Sequence, residues 1–240
     1  MDPQQQVKTI EMRTSLGVIP VTGTFGRALT VLAINGAFAG PAEMHRLHQL
    51  VTPHGAVVGF LPGDRAPALS ETSVPAFAQA YDEIADQLGP TVVLGLSIGG
   101  LVSLAMRSEN IRRVVCVEPP LLTGKLWPMA EMLAGARTAH YRPLVENIFG
   151  LTLEGFAGRD YRHLLDDLHR PTDVILGNEP LYPPRALART PSLVDDPERE
   201  LLAAHPLITV RLAPAGHNVP FQAPQVLLPV LRAALAAEDG

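Results

Sequence analysis

A single cysteine, Cys116, occurs in the 240 residues, which excludes an internal disulfide and any multi-cysteine zinc site. It sits in the apolar run Val114-Val115-Cys116-Val117, the setting of a small core residue and not of a reactive thiol. Clustered positive charge is also missing. The longest basic run is Arg112-Arg113 and the formal net charge is -5, so neither nucleic acid nor an anionic membrane is an expected partner. The longest uncharged apolar stretch, Val92 to Met106, is shorter than the roughly 18 residues of a membrane span and is broken by Gly95, Ser97, Gly99, Gly100 and Ser103. No G-x-G-x-x-G or G-x-x-x-x-G-K-[ST] stands at a strand–helix junction, so no nucleotide cofactor is implied. His45 and His48 have helical spacing but no third ligand nearby, and a metal is not expected. The opening Met1-Asp2-Pro3-Gln4-Gln5-Gln6 lacks the basic, apolar, small-residue order of a secretory leader, which makes a cytoplasmic protein the expectation.

Apolar residues, by contrast, are plentiful: 47% of the chain is hydrophobic and 18% charged, a balance suited to a sheet covered by helices on both faces. Short β-branched runs alternate with helical patterns, the sign of a mostly parallel sheet with crossover helices. The pattern predicts eight strands, at 8–13, 17–23, 28–34, 56–61, 91–96, 113–117, 173–176 and 208–212. The first two are too close for a helix between them and should form an antiparallel edge hairpin. Helices are predicted at 41–51, 74–88, 98–107, 185–203 and 224–237, the last kinked or restarted at Pro229. From 120 to 170 the rhythm stops, and helical runs near 129–137 and 144–149 suggest a helical cap. The 23 prolines are scattered over loops and no repeat or low-complexity tract appears, so residues 1–240 are expected to form one domain with 120–170 inserted as the cap.

Gly95-Leu96-Ser97-Ile98-Gly99-Gly100 has the form G-x-S-x-G, follows a predicted strand and opens a predicted helix. That context holds a serine above a sheet on a sharp turn, with glycines letting strand and helix approach. Serine at its free pKa is a poor nucleophile and needs a base. His217, in Pro214-Ala215-Gly216-His217-Asn218 after the last predicted strand, is the best placed of eight histidines. At the start of the helix the N–H of Ile98 has no partner in the ladder and can face an oxyanion.

Together with the turn Asn35-Gly36-Ala37-Phe38-Ala39-Gly40, these elements resemble the α/β-hydrolase superfamily across most of the chain, the cap excepted. The resemblance implies an α/β-hydrolase fold, with Ser97 as nucleophile, His217 as general base, and the N–H groups of Ala37 and Ile98 as oxyanion hole. The family's usual Asp, after the strand preceding that of the histidine, is absent: the segment reads Gly177-Asn178-Glu179-Pro180. Glu179, directly before the proline, is the first candidate for the acid, and Glu118, after Val117, is the second, because some members carry the acid there. Either would accept the Nδ1–H of the histidine. Asp64 and Arg65 read as a salt-bridged loop, while Trp127, Met129, Met132, Tyr141 and Phe149 are candidates for an acyl pocket. The expected activity is cofactor-free hydrolysis of a small ester or thioester through an acyl-enzyme at Ser97. Lyase or C–C hydrolase chemistry on the same Ser–His pair and a non-catalytic binding protein are the alternatives. The expected partner is a small acyl substrate, and homodimerisation stays open.

Overall fold

The computed structural model describes residues 7–26, 28–135, 140–180 and 190–237. Eight strands form one sheet: β1 (Lys8–Thr14), β2 (Gly17–Gly23), β3 (Thr30–Ile34), β4 (Ala56–Gly59), β5 (Thr91–Leu96), β6 (Ile111–Val117), β7 (Thr172–Gly177) and β8 (Ile208–Ala213), in the order β1-β2-β4-β3-β5-β6-β7-β8. The β1–β2 hairpin is antiparallel, as its two-residue connection requires, and β2 also runs against β4. Every pair from β4–β3 to β7–β8 is parallel.

Strand side chains alternate between two buried layers. Leu32, Ile34, Val57 and Val93 meet Phe77, Tyr81 and Ile84 of α2 (Val74–Leu88) and Leu101 and Leu104 of α3 (Ile98–Ala105). Val31, Ala33, Val58, Val92 and Leu94 meet Leu47 and Val51 of α1 (Pro41–Val51) and Leu227 and Leu231 of α7 (Pro224–Ala236), which follows the one-turn α6 (Val219–Gln222). This explains the uninterrupted apolar runs, since both faces of these strands are covered. Cys116 lies in the core at 0% exposure, and its burial pushes the thiol up to about 12. No helix among the described residues is long and apolar enough to cross a membrane.

Helix ends account for most departures from the predicted elements. α3 stops at Ala105, two residues early, because the Asp82 carboxylate of α2 takes the N–H groups of Arg107 (2.8 and 2.9 Å) and Ser108 (2.8 Å). α7 runs through Pro229 without restarting; the proline is on the exposed face, where water can reach the carbonyl its ring leaves unpaired. The helix expected at 185–203 is α5, Asp196–Ala204, which starts only where Asp195 and Glu198 form a capping box with Pro197 between them. Residues 190–195 are not helical, and the portion 185–189 lies outside the described residues.

Between β6 and β7 the chain forms short pieces: a 3-10 turn at Thr123–Met129, α4 (Ala130–Gly135), one wide turn at Leu144–Phe149, and a 3-10 turn at Arg162–Leu165. A buried polar knot ties this segment to α5. Glu198, 1% exposed, accepts the Leu122 N–H at 3.0 Å and lies 3.0 Å from Lys125 Nζ, which is also paired with Asp195. Burial pushes the Glu198 carboxyl up from 4.5 to about 7, against the pull of Lys125. The folded chain then holds a proton that the unfolded chain has released, so this contribution to stability is full below pH 4.5 and is lost as pH rises to about 7. Urea unfolding of Glu198→Gln should show a flatter dependence of stability on pH across that window than the parent. Parallel curves for the two proteins would refute the assignment.

Candidate active site

The carboxyl ends of β3, β5, β6 and β8 converge on one side of the sheet, where ligands of parallel α/β sheets bind. Among the described residues three that are not glycine have φ in the left-handed region: Phe38 (64°), Ser97 (53°) and Glu118 (54°). They follow β3, β5 and β6, respectively. Such backbone costs on the order of 1–3 kcal/mol per residue and persists where the surroundings over-determine it.

Ser97 joins β5 to α3 with φ 53° and ψ −117°. Its N–H donates to Val117 O at 2.8 Å, and its carbonyl receives the N–H of Gly100 at 2.8 Å, so the turn is held from β6 and from its own helix. The flanking glycines are needed for close approach. A Cβ on Gly95 would lie 2.4 Å from Gly99 O, and one on Gly99 would lie 2.2 Å from Ile34 O. The turn after β3 packs directly over the serine, where a Cβ on Gly36 would meet Ser97 Cβ at 2.8 Å. Ile98 opens α3, so its N–H lies outside the helical ladder.

His217 follows β8. Its N–H donates to Thr190 O at 2.9 Å, and Gly216 lies so close to the same carbonyl that a Cβ would come within 2.2 Å. Its Nδ1 lies 3.2 Å from Glu118 Oε2. With Nδ1 facing that carboxylate, Nε2 is the ring nitrogen turned away from it. Ser97 and His217 line one cavity of about 200 Å³ together with Asn35, Ala37, Leu96 and Phe221.

Glu118 is 0% exposed and each of its oxygens has two donors. Oε1 accepts from Gly177 N–H and Ser192 Oγ, both at 2.7 Å; Oε2 accepts from Leu193 N–H at 2.8 Å and faces His217. Arg199 holds the donor segment in place by donating to Val194 O (2.9 Å), Gly177 O (2.6 Å) and Ser192 Oγ (3.1 Å). Glu179, the acid ranked first from sequence, is engaged through its backbone: its N–H donates to Ala215 O at 3.2 Å and its carbonyl accepts from Ser192 N–H at 2.6 Å. The carboxylate beside His217 is therefore that of Glu118, the second candidate.

Ser192 and Leu193, which hold the Glu118 carboxylate, fall in a span where the sequence predicts helix; Pro191, unfavourable inside one, is the signal against it. Asp64 and Arg65 form the expected ion pair, with Arg65 Nε 3.9 Å from Asp64 Oδ1, and both side chains also reach the turn at 35–40. Of the pocket candidates, Tyr141 and Phe149 pack edge-on and stacked against Phe38, with centroids 5.5 and 5.8 Å away. The side chains of Trp127, Met129 and Met132 lie outside the described residues.

A family model described as "Alpha/beta hydrolase family" matches residues 31–230. Among solved structures, a carboxylesterase from Bacillus subtilis superposes with a TM-score of 0.71 at 14% identity, covering 98% of this chain and 93% of that one. An esterase from Pyrococcus furiosus gives 0.68 at 16% identity, covering 99% and 92%. The thioesterase domain from the curacin biosynthetic pathway gives 0.63 at 15% identity, covering 94% and 99%. No curated protein matches the sequence.

Proposed function

Since the chain belongs to the alpha/beta hydrolase family, we propose that it is a serine hydrolase that cleaves a small ester or thioester through an acyl-enzyme at Ser97. The observation that carries this reading is the 3.2 Å contact between His217 Nδ1 and the buried Glu118 carboxylate, on the same cavity as the strained Ser97 turn. Ser97 Oγ attacks the acyl carbonyl while its proton passes to His217 Nε2. The negative charge that develops on the carbonyl oxygen is met by the N–H groups of Ala37 and Ile98, which carry no cost of reorientation during the step. Collapse of the tetrahedral adduct expels the alcohol or thiol, which takes the proton from His217. Water, deprotonated by the same nitrogen, then attacks the acyl-enzyme, and as the second adduct collapses His217 returns the proton to Ser97 Oγ and the acid product leaves.

Glu118 holds the imidazole in the required tautomer and stabilises the imidazolium formed in each half-reaction. A cavity of about 200 Å³ favours a short acyl group. Esterases and a thioesterase both occur among the structural neighbours, which supports keeping both substrate types. The binding-protein reading was motivated by the missing Asp after β7 and by Asn35 at the start of the oxyanion turn; Glu118 beside His217 answers the first of these. Incubation with a fluorophosphonate, followed by intact-mass and peptide analysis, should show one adduct, on Ser97, along with turnover of p-nitrophenyl acetate. A protein that binds acyl esters but forms no adduct would overturn the reading.

A further inference from the structure

The oxyanion turn has a support that the catalytic residues do not use. Gly36 abuts Ser97 Cβ, which fixes one side of Ala37. On the other side, Phe38 takes φ 64° and gives its N–H to Asp64 Oδ2 at 2.8 Å, while Ala39 O accepts from Arg65 Nε at 3.1 Å. Both gripping residues come from a tight loop after β4, closed on itself by Asp64 N–H to Leu61 O and Gly63 N–H to Ala66 O, each at 3.1 Å.

Asp64 is an expensive residue to hold there. It is 5% exposed, and its Oδ1 is buried without a close hydrogen bond, its charge offset by Arg65 Nε at 3.9 Å and by the Tyr141 side chain. Burial outweighs these partners and raises its carboxyl above the ordinary value, so holding a carboxylate there opposes stability. A position that costs stability in this way is explained if it sets a geometry the chemistry needs. The cap closes on the same point: His140 Nε2 donates to Asp64 O at 2.8 Å, and Phe38 is held between Tyr141 and Phe149. With its own N–H taken by Asp64, Phe38 cannot supply the oxyanion donor, so the turn's donor is that of Ala37.

We propose that Asp64 and Arg65 are positioning residues that clamp the turn at 35–40 so that the Ala37 N–H points at the oxyanion; this rests on the serine-hydrolase reading above. Four proteins test it: the parent, Asp64→Asn, Asp64→Leu and Arg65→Met. Asn keeps an acceptor for the Phe38 N–H, Leu fills the space without one, and Arg65 is exposed enough for Met to leave the fold intact. The readouts are kcat and KM for p-nitrophenyl acetate, and Ki for an aryl trifluoromethyl ketone, whose adduct with Ser97 carries an oxyanion.

Loss of a whole oxyanion donor costs about 10²–10³ in kcat, so a misaimed one in Asp64→Leu should cost about 10–100-fold, with KM little changed and Ki rising in parallel. Asp64→Asn should stay within about threefold of the parent, and Arg65→Met should lose about 3–10-fold in kcat at unchanged Tm. A parent without turnover or Ser97 adduct overturns the serine-hydrolase reading and the clamp with it. An active parent beside a folded Asp64→Leu of parental kcat, or a loss confined to KM with Ki unmoved, overturns the clamp alone. Should Asp64→Leu fail to fold, Arg65→Met decides: parental kcat and Ki in that variant overturn the clamp.

Discussion

Ser97→Ala should abolish hydrolysis of short p-nitrophenyl esters, with kcat falling on the order of 10⁵–10⁶-fold, the scale on which removal of a nucleophilic serine acts. The residual rate would be that of an oxyanion hole and a binding cavity without a nucleophile. The fold should be untouched, because the hydrogen bonds that hold the turn run through the backbone of residue 97, to Val117 O and from Gly100 N–H. Ser97→Gly offers a second comparison. It should be just as inactive yet more stable than the Ala variant by about 1 kcal/mol, since glycine tolerates a positive φ that a Cβ makes costly. Urea unfolding of the two variants measures this. Retained turnover in Ser97→Ala would move the chemistry elsewhere, and a Gly variant less stable than the Ala one would show that the turn is unstrained.

How much of this was legible in advance depended on where each signal is written in the chain. The strands announced themselves because β3, β4, β5 and β7 are covered on both faces and so read as unbroken apolar runs. Ser97 was legible because close approach of β5, β3 and α3 admits only glycine at 95 and 99, which writes steric contact directly into local sequence. His217 was legible by its place after the last strand. Which carboxylate would face His217 was not, because what brings Glu118 there is non-local. Its partners Gly177, Ser192 and Leu193 lie 59 to 75 residues away and are brought in by β6–β7 pairing and by the segment that Arg199 fastens. Proximity of Glu179 to a proline said nothing about which of its groups, backbone or carboxylate, would be used. The end of α3 and the start of α5 were misread for the same reason: a distant carboxylate, Asp82, ends the one, and a loop built around Glu118 delays the other.

Glu118→Gln should lower kcat on the order of 10³–10⁴-fold, as expected when the acid of a triad is neutralised and the histidine is left in the wrong tautomer. Glu179→Gln should stay within about threefold of the parent, since it keeps every backbone bond that residue makes. The Glu118 effect carries a stability cost that has to be separated from it. The carboxylate offers two acceptor oxygens to Gly177 N–H, Ser192 Oγ, Leu193 N–H and His217 Nδ1. A glutamine presents one oxygen and turns a donor toward the other pair, leaving buried donors facing a donor at about 1–3 kcal/mol each. Kinetics should therefore be taken well below Tm, on protein whose near-ultraviolet circular dichroism matches the parent. Glu118→Asp supplies the control for charge against reach: it restores an anion but withdraws it by one methylene, and should recover part of kcat. If Glu179→Gln instead proves the crippled variant, the acid comes from β7. If Glu118→Gln does, nucleophile and acid hang from the adjacent strands β5 and β6, and the carboxylate's position depends on the register Leu96↔Val117 that sets Ser97 and Glu118 one residue beyond a paired end.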